Sequence, residues 1–205
     1  MNSGSLYPLE QEFLNCDLCN LCEKRVGYAH FGMGHPDGNI LVVIPNPVIH
    51  NEAPNPDPEL YDNNPYQDGT LERVEFRKII NAAHIDQTQV YLIPSVMCPP
   101  GKDVRLQEDH IDACRPRLQR TIETFNPRVL VLCGPQSYYA FYKKVPGDQK
   151  YGKIYDKEGK TVYYTWSLHA FLQQRIKVGK DHSDIIALSW EILSHWQEIK
   201  KISES

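Results

Sequence analysis

Three uninterrupted apolar runs punctuate an otherwise polar chain: Ile40-Leu41-Val42-Val43-Ile44, Val90-Tyr91-Leu92-Ile93 and Val129-Leu130-Val131-Leu132-Cys133. None alternates with polar residues, so each predicts a strand covered on both faces, as in a parallel sheet enclosed by helices. Pro45 and Pro47 stop the first run, Pro94 the second and Gly134 the third. A proline has no N–H to give to a ladder, so the stop is abrupt. A fourth run, Thr161-Val162-Tyr163-Tyr164-Thr165-Trp166, reads as the outgoing arm of a hairpin over 151–164 that turns at Glu158-Gly159.

Between the runs the period changes to helical. Residues 6–15 place Leu6, Leu9, Phe13 and Leu14 on one side, and 71–83 carry Leu71, Val74, Ile79, Ala82 and Ala83. Residues 108–125 turn Ile111, Leu118 and Ile122 inward, Pro135 opens a helix reaching Tyr142, and a last helix covers about 183–200. Strands alternating with helices predict a single-domain α/β fold, a three-layer α/β/α sandwich around a short parallel sheet.

Two strand ends stand out. Asn46 follows the first core strand, where open α/β sheets hold their ligands. The fourth run delivers Ser167-Leu168-His169 to another strand end. The segment 47–65, rich in Pro, Asn and Asp, is long for a loop in a compact domain and so reads as functional.

Composition narrows the classes. With 205 residues and a net charge of −4, the chain has room for one substantial core, and any nucleic-acid footprint must be local. No apolar stretch reaches a membrane span, and the first residues lack a secretory pattern, so a cytoplasmic, thiol-reducing location is expected. Six cysteines in that setting suggest metal or cluster ligation over disulfides. Cys16-Asp17-Leu18-Cys19 forms an N-terminal knuckle, with Cys98 and Cys114 far downstream. A redox dithiol, a zinc knuckle and an iron–sulfur cluster all compete here. The knuckle precedes the first strand, unlike a thioredoxin-type pair, and a second close pair typical of zinc ribbons is lacking. Four thiolates from separated segments suit a [4Fe–4S] cube. Cys133 reads as a buried small hydrophobe, and Cys22 makes a second CxxC with Cys19.

Taken in order, Asn15-Cys16-x-x-Cys19, Phe31-Gly32-x-Gly34, Val90-Tyr91, Cys98-Pro99-Pro100 and Cys114 resemble the iron–sulfur (family 4) branch of the uracil-DNA glycosylase superfamily. Pro127-Arg128-Val129-Leu130-Val131 before Gly134, the Tyr151-Gly152-Lys153 turn, and His169 six positions before Arg175 extend the resemblance over about residues 14–176. It implies a single glycosylase-like domain over 1–205 with a four-stranded, mainly parallel sheet. It also implies a [4Fe–4S] cluster on Cys16, Cys19, Cys98 and Cys114, and DNA as partner of a monomeric enzyme. Where family 4 carries Gly-Glu-Ala/Gly-Pro-Gly, this chain has Ile44-Pro45-Asn46-Pro47-Val48. Asn46-Pro47 instead resembles the Gly-x-Asn-Pro-Gly motif of the thymine-DNA and single-strand-selective branches. The family's pyrimidine-stacking Phe corresponds to Tyr66, and its uracil-reading Asn to Pro94, which has no side-chain donor or acceptor.

The resemblance therefore implies Asn46 and His169 as catalytic residues, with Pro45, Tyr66, Pro94 and Ser95 around the base. Asn46 would hold the attacking water through its amide carbonyl, and His169 would donate to the departing pyrimidine as charge builds on it. Reaching the glycosidic bond requires the nucleotide to leave the stack. Phe171, Leu172, Gln173 and Gln174 would then form a loop that fills the gap or probes the opposite strand, with Arg175, Lys177 and backbone amides near Gly101 and Lys102 on phosphates. Loss of the acidic residue and of the uracil reader points to an enlarged, 5-substituted pyrimidine. Hydroxymethylated or glucosylated bases of phage DNA are candidates, which would make the enzyme a defence protein. The competing expectation is an inactive relative that binds DNA or a partner through the same groove.

Overall fold

The computed structural model describes residues 6–13, 16–25, 29–47, 66, 69–101, 103–147, 151–157 and 159–205. In chain order the elements are α1 (Tyr7–Phe13), α2 (Leu21–Lys24), β1 (Met33–Gly34), β2 (Ile40–Ile44), α3 (Leu71–Ala82) and β3 (Val90–Pro94). There follow α4 (Glu108–Phe125), β4 (Val129–Cys133), α5 (Gly134–Tyr142), β5 (Lys153–Lys157), β6 (Lys160–Thr165), α6 (Leu168–Val178) and α7 (Ser183–Glu204).

The four apolar runs become four parallel neighbours, in the order β3-β2-β4-β6. Their lack of alternation has a direct cause, since successive residues supply two different cores. Leu41 and Val43 join Tyr91, Ile93, Leu130 and Leu132 beneath α1, α4 and α5. Ile40, Val42 and Ile44 join Leu92, Val129 and Val131 beneath α3, α6 and α7. Every residue of β2 is fully buried, and each such side chain contributes roughly 1.5–3 kcal/mol relative to exposure. The three-layer expectation is therefore met.

Among the described residues the sheet has six strands, not four, because an antiparallel strand is added at each edge of the parallel centre. β5 is the incoming arm of the expected hairpin, although Glu158 itself lies outside the described residues. β1 arises in the Gly-rich segment, where Gly34 has φ +126° and a Cβ would lie 2.1 Å from the Val90 carbonyl oxygen. Only a glycine lets that edge approach so closely.

A second difference concerns 168–178, expected to include a DNA-probing loop. It is helix α6, capped by Ser167, whose Oγ accepts from the Ala170 N–H at 3.5 Å. Leu168, Phe171 and Leu172, at i, i+3 and i+4, form the buried stripe that makes it a helix. The last helix runs to Glu204, and the segment 48–65 lies outside the described residues. Among the described residues, no helix is long and apolar enough to cross a membrane.

Because β2, β3, β4 and β6 are parallel, their carboxyl ends open on the same side. Pro45-Asn46, Ser95, Gly134 and Trp166-Ser167 all emerge there. Gly134 has φ +82°, and a Cβ on it would lie 2.7 Å from the Ser167 Cβ. This glycine brings the start of α5 against the start of α6.

Candidate active site

The strand ends enclose a cleft of about 400 Å³ lined by Pro45, Asn46, Pro47, Tyr66, Pro99, Pro100, Pro135, Gln136, Ser167, His169 and Ala170. Asn46, Tyr66 and His169, singled out from three separate stretches of sequence, thus share one wall. Among the described residues, the only ionisable side chains lining the cleft are His169 and the Tyr66 phenol, which burial holds well above its usual range.

The Pro45 carbonyl is the fixed point of the cleft. It accepts from Ser95 Oγ, from Gln136 Nε2 at 2.7 Å and from the Val96 N–H at 3.3 Å. Gln136 Nε2 also lies 3.1 Å from Ser95 Oγ, while the Ser95 N–H donates to Ile44 at 2.8 Å. These bonds tie β2, β3 and α5 together immediately before Asn46. The Asn46 Nδ2 donates to the Pro47 carbonyl at 3.0 Å. A carbonyl can only accept, so the amide orientation is fixed and Oδ1 is left as an acceptor.

His169 is the second residue of α6, and its side chain is 58% exposed. Its Nδ1 lies 2.9 Å from Glu72 Oε1. Glu72 sits in the first turn of α3, which begins where Thr70 Oγ1 accepts from the Arg73 N–H at 3.3 Å. Burial pushes the Glu72 carboxyl up, but the hydrogen bond from His169 and a backbone N–H outweigh it and hold the group below its ordinary value. The same bond raises the His169 imidazole against the opposing effect of burial. An ionised carboxylate accepts, so the Nδ1 proton is assigned by its partner. Nε2 is then a donor only in the imidazolium form.

Other expected site residues take different places. Ser95 is fully buried and Pro94 is buried; both lie behind the cleft wall, with the Pro94 carbonyl accepting from Arg117 Nη2. Tyr66 is buried and meets Phe76 edge-on, ring centroids 5.9 Å apart. Phe171 is 2% exposed in the core beneath α6, so it is not a loop residue, because the helical stripe turns it inward. Gln173 and Gln174 are exposed on that helix. Arg175 is paired with Glu75 at 3.1 Å and stacked over Phe171 at 5.4 Å, which occupies its guanidinium within the protein. Gly101 is half-buried beside the cleft's Pro100, and Lys102 lies outside the described residues.

Glu72 and Gln136 are absent from the sequence reading. Glu72 carries only the generic signal of an acid in a first helical turn, and its partner lies 97 positions away. Gln136 follows Pro135 at a helix start, an unremarkable position until Pro45 is brought beside it.

The cysteines gather on the opposite core. Cys98 and Cys114 are buried, Cys16 and Cys19 half-buried, and all pack against the α1–α4–α5 side. Burial lifts the Cys98 thiol to about 11, against Arg25 Nη1, which donates to its Sγ at 3.7 Å. Cys19 and Cys114 are raised too, chiefly by burial, with Cys16 charge adding to both. Cys98 in turn senses Cys114 and Cys19, so the four thiols are electrostatic neighbours. Among the described residues, however, no three His, Cys, Asp or Glu side chains converge closely enough for one metal ion. Arg117, 1% exposed, faces this group. It donates to the Phe31 carbonyl at 3.4 Å and to Pro94, and among the described residues it meets no carboxylate. A buried guanidinium that senses Cys16, Cys98 and Cys114 fits an anionic group assembled on the thiolates. Cys133 belongs to the other core, where burial alone pushes it up to about 12.

Residues 31–193 match the Uracil DNA glycosylase superfamily. A type-4 uracil-DNA glycosylase of Sulfurisphaera tokodaii is 27% identical over 162 residues, covering 79% of this chain and 67% of that protein. A type-4 uracil-DNA glycosylase of Saccharolobus solfataricus is 26% identical over 163 residues, covering 80% and 69%. Fold, cleft and likeness converge: the chain belongs to the uracil DNA glycosylase superfamily and is an enzyme of the DNA glycosylase class.

Proposed function

We propose that the protein hydrolyses the N-glycosidic bond of an extruded, 5-substituted pyrimidine in DNA, with Asn46 and His169 as the catalytic pair. The observation that carries this reading is their shared cleft, with an amide oxygen supplied just past the end of β2 and an imidazole by the first turn of α6. At about 400 Å³ the space lies toward the small end of the roughly 300–1,000 Å³ typical of ligand pockets, suited to one base and its sugar.

The bond breaks through an oxocarbenium-like sugar while negative charge builds on the base. Asn46 Oδ1 accepts from a water and holds it toward the anomeric carbon. His169 Nε2–H donates to a ring carbonyl oxygen as that charge appears, an interaction stronger in the transition state than before it. Tyr66 supplies a ring face for the base. An amide is no strong base, so the sugar cation must form largely before water attacks, and the rate depends on leaving-group stabilisation.

Among the described residues no carboxylate lines the cleft, and Pro94 offers no base-reading side chain, which supports a substrate other than plain uracil. Hydroxymethylated pyrimidines, as in phage DNA, fit that description and place the enzyme in defence. Cys16, Cys19, Cys98 and Cys114 would hold a [4Fe–4S] cluster, whose contribution would be structural.

The test is excision from oligonucleotides carrying uracil, 5-hydroxymethyluracil or 5-hydroxymethylcytosine, read as strand breaks after alkali. Cleavage at a 5-substituted base, lost in Asn46→Ala and His169→Ala, is the expected result. Activity on plain uracil alone overturns the substrate assignment. Tight DNA binding with no base released supports the inactive-relative reading instead.

A further inference from the structure

We propose that Gln136 reads the substrate base, its side-chain carbonyl accepting the ring N–H of a uracil-type pyrimidine. This rests on the glycosylase reading above and adds the base class and the residue that selects it.

The orientation of the Gln136 amide is not free. Nε2 lies 2.7 Å from the Pro45 carbonyl oxygen and 3.1 Å from Ser95 Oγ. The Pro45 oxygen cannot donate, so a flipped amide would set two acceptors against each other. The Nε2 side of the amide is thus held against Pro45 and Ser95, whose oxygens stand close enough together to share one N–H, and among the described residues no donor meets Oε1. Gln136 is only half-buried and lines the cleft. The residue therefore presents a rigid acceptor, held by backbone that cannot turn it.

Donor and acceptor together define a base edge. His169 contributes a donor and Gln136 an acceptor, complementary to a carbonyl oxygen beside a ring N–H. Uracil-type rings carry that pair at O4 or O2 and N3–H. A cytosine-type ring has a bare lone pair at N3, which would face the Gln136 oxygen. Leaving-group chemistry agrees, because two ring carbonyls spread the charge of a departing uracil-type anion and a cytosine has only one. A 5-substituent lies on the ring edge away from N3–H, so this reading tolerates it.

The experiment is single-turnover excision by the full-length protein from oligonucleotides carrying 5-hydroxymethyluracil, its N3-methyl derivative, uracil or 5-hydroxymethylcytosine. The wild type is expected to release the N3–H bases at least about tenfold faster than the N3-methyl or cytosine-type base, the size of one mispaired buried acceptor. In Gln136→Met that ratio collapses toward one while DNA binding persists. An unchanged ratio with a uniform drop in rate means that Gln136 only supports Pro45, and overturns the assignment. A wild-type preference for 5-hydroxymethylcytosine overturns it as well. If Gln136→Met fails to fold, the wild-type discrimination against N3-methylation still decides, and its absence refutes the proposal. Release of no base by the wild type instead refutes the glycosylase reading on which this depends, whereas release without N3 discrimination refutes this inference alone.

Discussion

Glu72 Oε1 stands 2.9 Å from His169 Nδ1, joining the first turn of α3 to the first turn of α6 across 97 positions of chain. The contact sets which face of the imidazole is available. With Nδ1–H committed to a carboxylate, the cleft-facing nitrogen donates only when the ring is positively charged. Activity is therefore expected to fall as pH rises through the raised His169 value. In Glu72→Gln the imidazole loses its partner's charge, and the alkaline limb of the pH–rate profile moves to lower pH. An unmoved limb would show that His169 does not act as an imidazolium.

The same pair shapes stability. His169 is raised above its unfolded value of about 6.5, so its contribution is full below that pH and fades as pH rises through the folded value. Glu72 is lowered from about 4.5, so its contribution is present above that pH and is lost as pH falls through the folded value. Thermal melts should show the largest loss for Glu72→Gln between about pH 4.5 and 6.5, and a smaller one near pH 9.

Asn46→Ala removes the carbonyl proposed to hold the attacking water while leaving the Pro45 clamp intact. The expected loss is about 10²–10³-fold in single-turnover excision, comparable with deletion of one preorganised polar group, at nearly unchanged melting temperature. Asn46 is half-exposed, and among the described residues its side chain bonds only to the adjacent Pro47 carbonyl, so little stability depends on it.

Arg117→Met should behave oppositely. It strips the Phe31 and Pro94 carbonyls of a buried donor, at about 1–3 kcal/mol for each group left unpaired. It also removes the cation facing the thiols. The expected outcome is a lowered melting temperature together with reduced iron content, read by absorbance and metal analysis.

Cysteine replacement separates ligands from bystanders. Serine at Cys16, Cys19, Cys98 or Cys114 should abolish or sharply reduce bound iron, while Cys133→Ser keeps it, since Cys133 belongs to the α3–α6–α7 core. Iron retained in all four single variants would contradict the cluster assignment.

Much of this molecule is legible in its sequence. Apolar runs without alternation announce strands such as β2 and β4, whose residues feed two cores by turns. Pro-Asn-Pro after the first run places Asn46 correctly because proline ends a ladder for local reasons. The misreading over 168–178 has a physical root. Leu168, Phe171 and Leu172 carry helical spacing, but the resemblance to a catalytic loop motif assigns the same residues another role. Arg175 looks like a phosphate ligand in sequence because Glu75, which claims it, sits a hundred positions earlier. Glu72 and Gln136 stay hidden for the same reason, as each takes its meaning from a partner that only the folded sheet brings near.

The central claim is tested most directly by mass spectrometry of free bases released from DNA containing 5-hydroxymethyluracil, comparing the wild type with Asn46→Ala and His169→Ala. The account predicts intact 5-hydroxymethyluracil in the wild-type supernatant and its near disappearance in both variants, with DNA binding retained. Equal release by the wild type and both variants would contradict it.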